Sequence, residues 1–554
     1  MEGELSNGEH ILMCISDLEG CLETSAFLKN KNDNNLDANV TQSTVLCEDK
    51  TFQKIKEQME KNTNLQVVFC GDYFDKGPHM ASSIKGIAEL CTTFNIDVER
   101  ERVHVILGNR DVNKKRIFHE SKAKLENYVI QKGNWLGDPD WTKLESDDAV
   151  TKTQHLLLKT YGAPNLLEYM TKEGIAENEQ GAIDIFGDIF SDKELDRDTF
   201  ANHCRILFQH GKLIKLINVG TTTVLASHSG ANNLNMFKLT SIDQLEGIDD
   251  IIEKYKTGEY SYFQVIHEIQ KLLGSTSVSN TENITESIDF YNKLLDPALF
   301  ATSEVVNERL PGIPEDNYRE YFLLQAMGMP EIGNQFLSPI QACGLKGCTG
   351  ITPLPTDLYD FLVKNEKQSV NVIVHGHKPH CSPVPIMHRE GVIGFLHLDQ
   401  SNNNRPKECG NVEITLEKTP IGFIQDLGGS NYKMGITSVT NVLESTDNDR
   451  VKGVIGCDNN GTEEEFQPMV TILERDNIPL YDEKDNKINY ADGSFKFNDN
   501  GPFFPTRFIS RNVGFTTGML GGKRKTKKSK KTRKPKRSNK RRSRKQKSHR
   551  KSRK

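Results

Sequence analysis

Residues 65–78, LQVVFC followed by GDYFDKGP, decide how this chain reads. The six residues Leu65–Cys70 are almost wholly apolar and predict a buried strand that stops at Gly71. Two carboxylates follow at once, Asp72 and Asp75, set between Gly71 and Gly77 and ahead of Pro78. A core gains nothing from carboxylates at the end of a buried strand unless something positive sits between them. The glycines let the backbone turn sharply there and approach whatever that is.

Working outward, the same arrangement recurs. Residues 11–15 (ILMCI) run into SDLEG, with Asp17 and Glu19, and residues 103–107 (VHVIL) run into GNRD, with Asn109 and Asp111. Further on, TTTVLA runs into SHSG, with His228, and VNVIV (370–374) into HGHKPH, with His375, His377 and His380. Between the second and third of these strands, residues 79–94 place Met80, Ile84, Ile87, Ala88 and Cys91 at helical spacing. Strand, helix and strand in so short a span predict a βαβ unit with parallel strands, and ligands gather at the carboxyl ends of such strands. Asp, Glu, Asn and His together suit borderline divalent cations such as Mn, Fe, Zn or Co, and there is too little thiolate for a structural zinc site. Cys343 and Cys348 could join Cys381 or Cys409 on a zinc ion, but their spacing favours reduced thiols.

The ordered set of motifs resembles the calcineurin-like metallophosphoesterases, and GDYFDKGP looks closest to the branch holding protein Ser/Thr phosphatases and diadenosine tetraphosphatases. The resemblance covers residues 11–112 and short segments around His228 and His377. It implies an α/β fold, a two-sheet sandwich flanked by helices, and hydrolysis of a phosphate ester or phosphoanhydride by a hydroxide bridging two divalent metal ions. Manganese is favoured, with iron, zinc or magnesium as alternatives. By position, Asp17, Glu19 and Asp72 would hold one metal, and Asp72, Asn109, His228 and His377 the other, with Asp72 bridging. Asp75 would orient a ligand or its loop. His375 and His380 read as surface histidines, with extra ligands or substrate contacts as the alternative.

Three positions depart from the family pattern. Glu19 stands where the family has His, which hardens the site toward Mn or Mg. Arg110 stands where the family has the His of GNH; arginine cannot give up a proton near neutral pH, though it can hold a phosphate oxygen. Lys76 stands where the phosphatase branch has Arg, a point charge in place of a fork. Arg110 and Lys76 would then clamp the substrate phosphate. The alternative is a catalytically degenerate relative serving as a binding or structural module anchored on nucleic acid.

Charge divides the chain in two. Of its 71 Lys and Arg, 21 lie in residues 523–554, which hold no Asp or Glu, so the body carries 50 cationic against 76 acidic residues. The tail 523–554 predicts binding to nucleic acid or another polyanion by counterion release, without base readout because aromatics are absent. It also resembles tails on proteins of large nucleocytoplasmic DNA viruses. The first ten residues, MEGELSNGEH, show no secretory signal, no run is long enough to span a membrane, and 11 scattered cysteines suit a reducing compartment. The expected location is intracellular, in cytoplasm or nucleus, or in a virion, and not secreted.

The expected organisation is a core whose first part is residues 1–234, with a polar insertion at 30–64 and a helical stretch at 115–215. A helical insertion (235–335), a second core part (336–410), an accessory region of unread fold (411–520) and a disordered basic tail (521–554) follow.

Overall fold

The computed structural model describes residues 10–18, 49–74, 79–96, 100–122, 148–157, 163, 165–191, 193–231, 234, 236–275, 283–296, 310, 312–328, 356–364, 369–377, 386–390, 393–398, 420–429, 431–438 and 455–458. Glu19, Asp75, Lys76, His380, the cysteines at 343, 348, 381 and 409, and the basic tail lie outside them.

The three expected strands form as β1 (Ile11–Ile15), β2 (Leu65–Cys70) and β3 (Val103–Ile106), and they pair in parallel in the order β1-β2-β3. Nearly every residue in them is buried, as apolar runs covered on both faces require. Helix α1 (Asp49–Lys61) precedes β2, and α2 (Met80–Phe94) makes the crossover to β3, turning Met80, Ile84, Ile87, Ala88 and Cys91 into the core. Helix α3 (Asn109–Lys114) starts three residues beyond the end of β3, after Leu107 and Gly108, and α4 (Ile117–Lys122) follows it. The helical stretch continues as α5 (Ala149–Leu156), α6 (Leu166–Lys172), α7 (Glu179–Ile189) and α8 (Phe200–His210). A short β4 (Gly211–Lys212) then joins the first sheet beside β3.

The second sheet is built from β5 (Ile214–Val219), β6 (Thr222–Ser227), β7 (Val372–His375), β8 (Ile386–Glu390) and β9 (Ile393–His397), in the order β5-β6-β7-β9-β8. Strands β6, β7 and β9 are parallel, and hairpin partners close both edges. Between β6 and β7 the chain makes α9 (Ile248–Thr257), α10 (Tyr262–Ser275), α11 (Ile284–Lys293), α12 (Tyr318–Gly328) and α13 (Thr356–Val363). This block contributes helices to neither sheet's ladder, yet it packs on the core: the Asn292 amide binds the main chain of Leu213 and Ile214.

Residues beyond 411, unread from the sequence, supply β10 (Pro420–Gly428), β11 (Asn431–Ser438) and β12 (Ile455–Asp458). Strand β10 pairs antiparallel with β1, so the first sheet runs β12-β11-β10-β1-β2-β3-β4. Asp426 on β10 accepts hydrogen bonds from the Thr221 and Thr222 hydroxyls, tying the β5–β6 turn of the second sheet to the first. The molecule is thus a mixed α/β structure of two sheets flanked by helices. Among the described residues no helix is long and apolar enough to cross a membrane.

Candidate metal centre

Five strand ends converge. The chain leaves β1 at Ser16-Asp17, β2 at Gly71-Asp72, β3 at Gly108-Asn109, β6 at His228 and β7 at Gly376-His377. Asp17 (φ 50°), Asp72 (φ 55°) and His377 (φ 68°) are the three non-glycine residues with positive φ among the described residues. Such left-handed conformations are disfavoured for side-chain-bearing residues and cost on the order of 1–3 kcal/mol each. They are held by close neighbours. Asp17 N–H donates to the Gly71 carbonyl (3.2 Å), and the His377 N–H donates to the Asp17 carboxylate (3.1 Å). The Ser16 hydroxyl donates to the same carboxylate and lies 3.1 Å from the Cys70 carbonyl.

Asp72 is fixed from behind by Asp111. Its carboxylate accepts from the backbone N–H groups of Asp72 (2.8 Å), Tyr73 (2.8 Å) and Gly108 (2.7 Å), so one side chain clamps the turn after β2 to the start of α3. Burial and the neighbouring Asp72 charge push Asp111 up to about 7 against the pull of those donors. The Tyr73 hydroxyl lies 2.8 Å from the Phe69 and Ile106 carbonyls and bridges the ends of β2 and β3. Sequence reading placed Asp111 in its motif but gave it no task. The available signal was an acidic residue three positions after Gly108 at a helix start, the position that reaches back to an N-cap amide.

The ligand atoms of Asp72, His228 and His377 all lie within 4.8 Å of one another. The His228 Nδ1–H donates to the Cys70 carbonyl (2.7 Å), which turns Nε2 toward Asp72 Oδ1 at 3.3 Å and His377 Nδ1 at 3.1 Å. A backbone carbonyl on one ring nitrogen is the usual device for presenting the other to a metal. Burial alone would raise the Asp72 carboxyl, but the His228 and Arg110 charges prevail and hold it well below the usual carboxylate range. Burial works against the His228 imidazolium too, and Asp72 prevails, pushing it up to about 10. With protein charges alone, His228 and Arg110 supply the positive charge that the carboxylate demands.

Arg110 lies directly on this group: its N–H is 3.3 Å from Asp72 Oδ1 and its Nε 3.4 Å from Oδ2. Asn109, buried beside it, has a side-chain Oδ1 without a hydrogen-bond partner among the described residues. A buried amide oxygen left unmatched is costly unless it serves a ligand. Asp17 reaches the pocket through His377 and stands outside the tightest group of three. His375 is buried, not on the surface, with its ring 4.3 Å from that of His397.

The cradle leaves no room for side chains where the strands meet. A Cβ on Gly108 would stand 2.2 Å from Asp72 Oδ1, and one on Gly71 (φ +88°) would stand 2.4 Å from His228 Nδ1. These donors (a carboxylate, two imidazoles, an amide oxygen and a second carboxylate close by) fit divalent cations in chemistry, and the orphaned Asn109 oxygen is the observation that favours them.

Residues 14–257 match the family model of the calcineurin-like phosphoesterases. His377 and strands β7–β12 lie beyond that match, yet the fold brings His377 to the same pocket as Asp72 and His228. No curated protein matches the chain. Two solved structures align over 79% of this chain and 83% of theirs at 12% identity: a mutant cold-active protein tyrosine phosphatase (TM-score 0.28) and the cold-active protein-tyrosine phosphatase of a psychrophilic Shewanella species (TM-score 0.27). Likeness that slight carries no argument about this chain.

Proposed function

Because residues 14–257 match the family model of the calcineurin-like phosphoesterases, we propose that the chain hydrolyses a phosphate ester or phosphoanhydride with two divalent cations bound at the pocket just described. Asp17, Glu19, Asp72, Asn109, His228 and His377 would hold them, with Asp72 shared, and manganese is the favoured metal. Cations so placed supply Lewis-acid polarisation of the phosphoryl oxygens and a water acidic enough to serve as nucleophile near neutral pH.

The observation that carries this reading is the left-handed backbone at Asp17, Asp72 and His377. Strain held at the ends of three separate strands, aimed at one pocket, is hard to explain by folding alone. The chain's own residues then divide the work. Asp72 brings anionic charge between two cationic positions, and the Cys70 carbonyl keeps the His228 tautomer that presents Nε2. Arg110, on the rim of the pocket with a side chain 19% exposed, can bind a phosphate oxygen or a developing alkoxide, and Lys76 would give a second point charge. Arg110 cannot protonate a leaving group, so substrates with good leaving groups, phosphoanhydrides and aryl phosphates, are favoured. The tail at 523–554 would hold the enzyme on nucleic acid or another polyanion in a salt-sensitive manner.

A binding role for the same pocket is the second reading, favoured by Arg110 standing where a proton donor is expected. Turnover of an aryl phosphate with Mn²⁺, compared between the parent and Asp72→Asn, separates the two. The enzyme reading predicts a loss of at least ~10²-fold in the variant; equal rates refute it.

A further inference from the structure

The short helix α3 bears Asn109 and Arg110 in its first turn, and its last turn is gripped from the helical block that lies between β6 and β7 in the chain. The Asn113 amide, 1% exposed, does this with both ends. Its Nδ2 donates to the Gly328 carbonyl at the end of α12 (3.2 Å), and its Oδ1 accepts from Arg116 (3.1 Å). Arg116 is fully buried and forms a two-point ion pair with Glu120, Nε to Oε1 at 2.6 Å and the second nitrogen to Oε2 at 3.0 Å. Its guanidinium also stands 5.5 Å from the centre of the Tyr262 ring on α10, and the Tyr262 hydroxyl lies 3.3 Å from that of Tyr321 on α12. Gln270 on α10 closes the ring by donating to the Ala326 carbonyl (3.0 Å).

A buried charge is costly unless it is paired and hydrogen-bonded, and here Glu120 and Asn113 together satisfy the Arg116 guanidinium. Gly328 belongs to the ring for a steric reason: a Cβ there would stand 3.2 Å from Val112 Cγ1, tight enough that α12 or α3 would have to give by a few tenths of an ångström. The far end of the same six-residue helix is clamped to Asp72 through Asp111. A helix of under two turns held at both ends moves as one body.

We propose that Asn113 is a positioning residue, through which the helical block at 248–328 sets where Asn109 and Arg110 stand against Asp72. The inference rests on the reading of Asn109 as a metal ligand. It makes α10 and α12 part of the reaction's machinery: occupancy of the pocket by a cation is felt in these helices, and loosening them weakens the cation's hold.

The test uses the full chain. Hydrogen–deuterium exchange is measured with and without Mn²⁺ for the parent and Asn113→Ala, together with the Mn²⁺ concentration giving half-maximal aryl phosphate turnover. The expected result is slower exchange in Tyr318–Gly328 of the parent on adding Mn²⁺. In the variant that protection is lost and the Mn²⁺ requirement rises about 10–100-fold, the usual effect of removing a group that orients a ligand. A variant that merely has a lower Tm, with the Mn²⁺ requirement and the Mn²⁺-induced protection of its folded fraction unchanged, overturns the proposal. Should Asn113→Ala not fold, Gly328→Ala, which presses on Val112 by a few tenths of an ångström, must raise the Mn²⁺ requirement in the same direction; an unchanged requirement overturns it. A parent that binds Mn²⁺ and turns over substrate without any change in exchange at 318–328 overturns this inference alone. A parent that binds no Mn²⁺ overturns the metal-centre reading and this one with it.

Discussion

Gly108→Ala isolates the geometry of the pocket from its chemistry. Gly108 has φ −87° and ψ 174°, an extended conformation that alanine adopts without strain, so the backbone gives no reason for harm. The added methyl would stand 2.2 Å from Asp72 Oδ1 and 2.9 Å from His228 Cε1, against an ordinary contact of 3.4 Å or more. Asp72 cannot rotate away freely, because Arg110 and His228 engage its two oxygens and Asp111 fixes its backbone. The carboxylate must therefore retreat by about 1 Å, a displacement that can cost ~10²-fold in rate, or about 2.7 kcal/mol of barrier. Overpacking should also lower stability by about 1–3 kcal/mol. Both are read from kcat for an aryl phosphate at saturating Mn²⁺ and from urea unfolding. Gly181→Ala is the control: its Cβ meets nothing among the described residues closer than 3.6 Å, on a helix that carries none of these ligands, and turnover should not change. A Gly108→Ala protein with kcat within threefold of the parent would refute the claim that Asp72's position limits the reaction.

Two further outcomes follow from the same coordinates. Arg110→His restores a group able to donate a proton, so the ratio of alkyl to aryl phosphate turnover should rise, on the order of 10² where general-acid help is realised; an unchanged ratio removes Arg110 from the leaving-group side. Lys115 is buried, its ammonium nitrogen 3.2 Å from the Leu295 carbonyl and 5.4 and 5.7 Å from the Phe190 and Phe208 ring centres. Burial brings it down to about 7 although Asp296 opposes the shift. A depressed folded value means that the unfolded chain binds more protons between about pH 7 and 10.5, so this residue's contribution makes stability rise with pH across that window, by at most a few kcal/mol. Lys115→Met should flatten that slope in denaturant titrations at pH 7 and 9.5; identical slopes would show that the amine titrates normally.

Much of the fold was legible because the donors sit directly at the ends of apolar runs. Leu65–Cys70 and Val372–His375 each announce a buried strand and then break into Gly-Asp and Gly-His, so strand and candidate ligand are read together. Strands β10–β12 were not legible. They form an antiparallel extension whose partner, β1, lies some 400 residues earlier, and such pairing leaves no local mark. Nor did Asp111 or Asn113 stand out, since Asp111 serves backbone N–H groups and Asn113 a backbone carbonyl and Arg116, and such duties have no period in the sequence. Glu19, Asp75 and Lys76, three residues to which the sequence assigned roles, lie outside the described residues and remain proposals drawn from their motifs.

The central claim is that side chains from five strand ends share a pair of cations through Asp72. Metal content of the purified full chain after equilibration with Mn²⁺, measured beside that of Asp72→Asn, tests it most directly. The account predicts two bound Mn²⁺ per parent chain and a loss of both, or of all but one weakly held ion, in the variant. A parent that binds no Mn²⁺, or a variant that retains both ions, would contradict it.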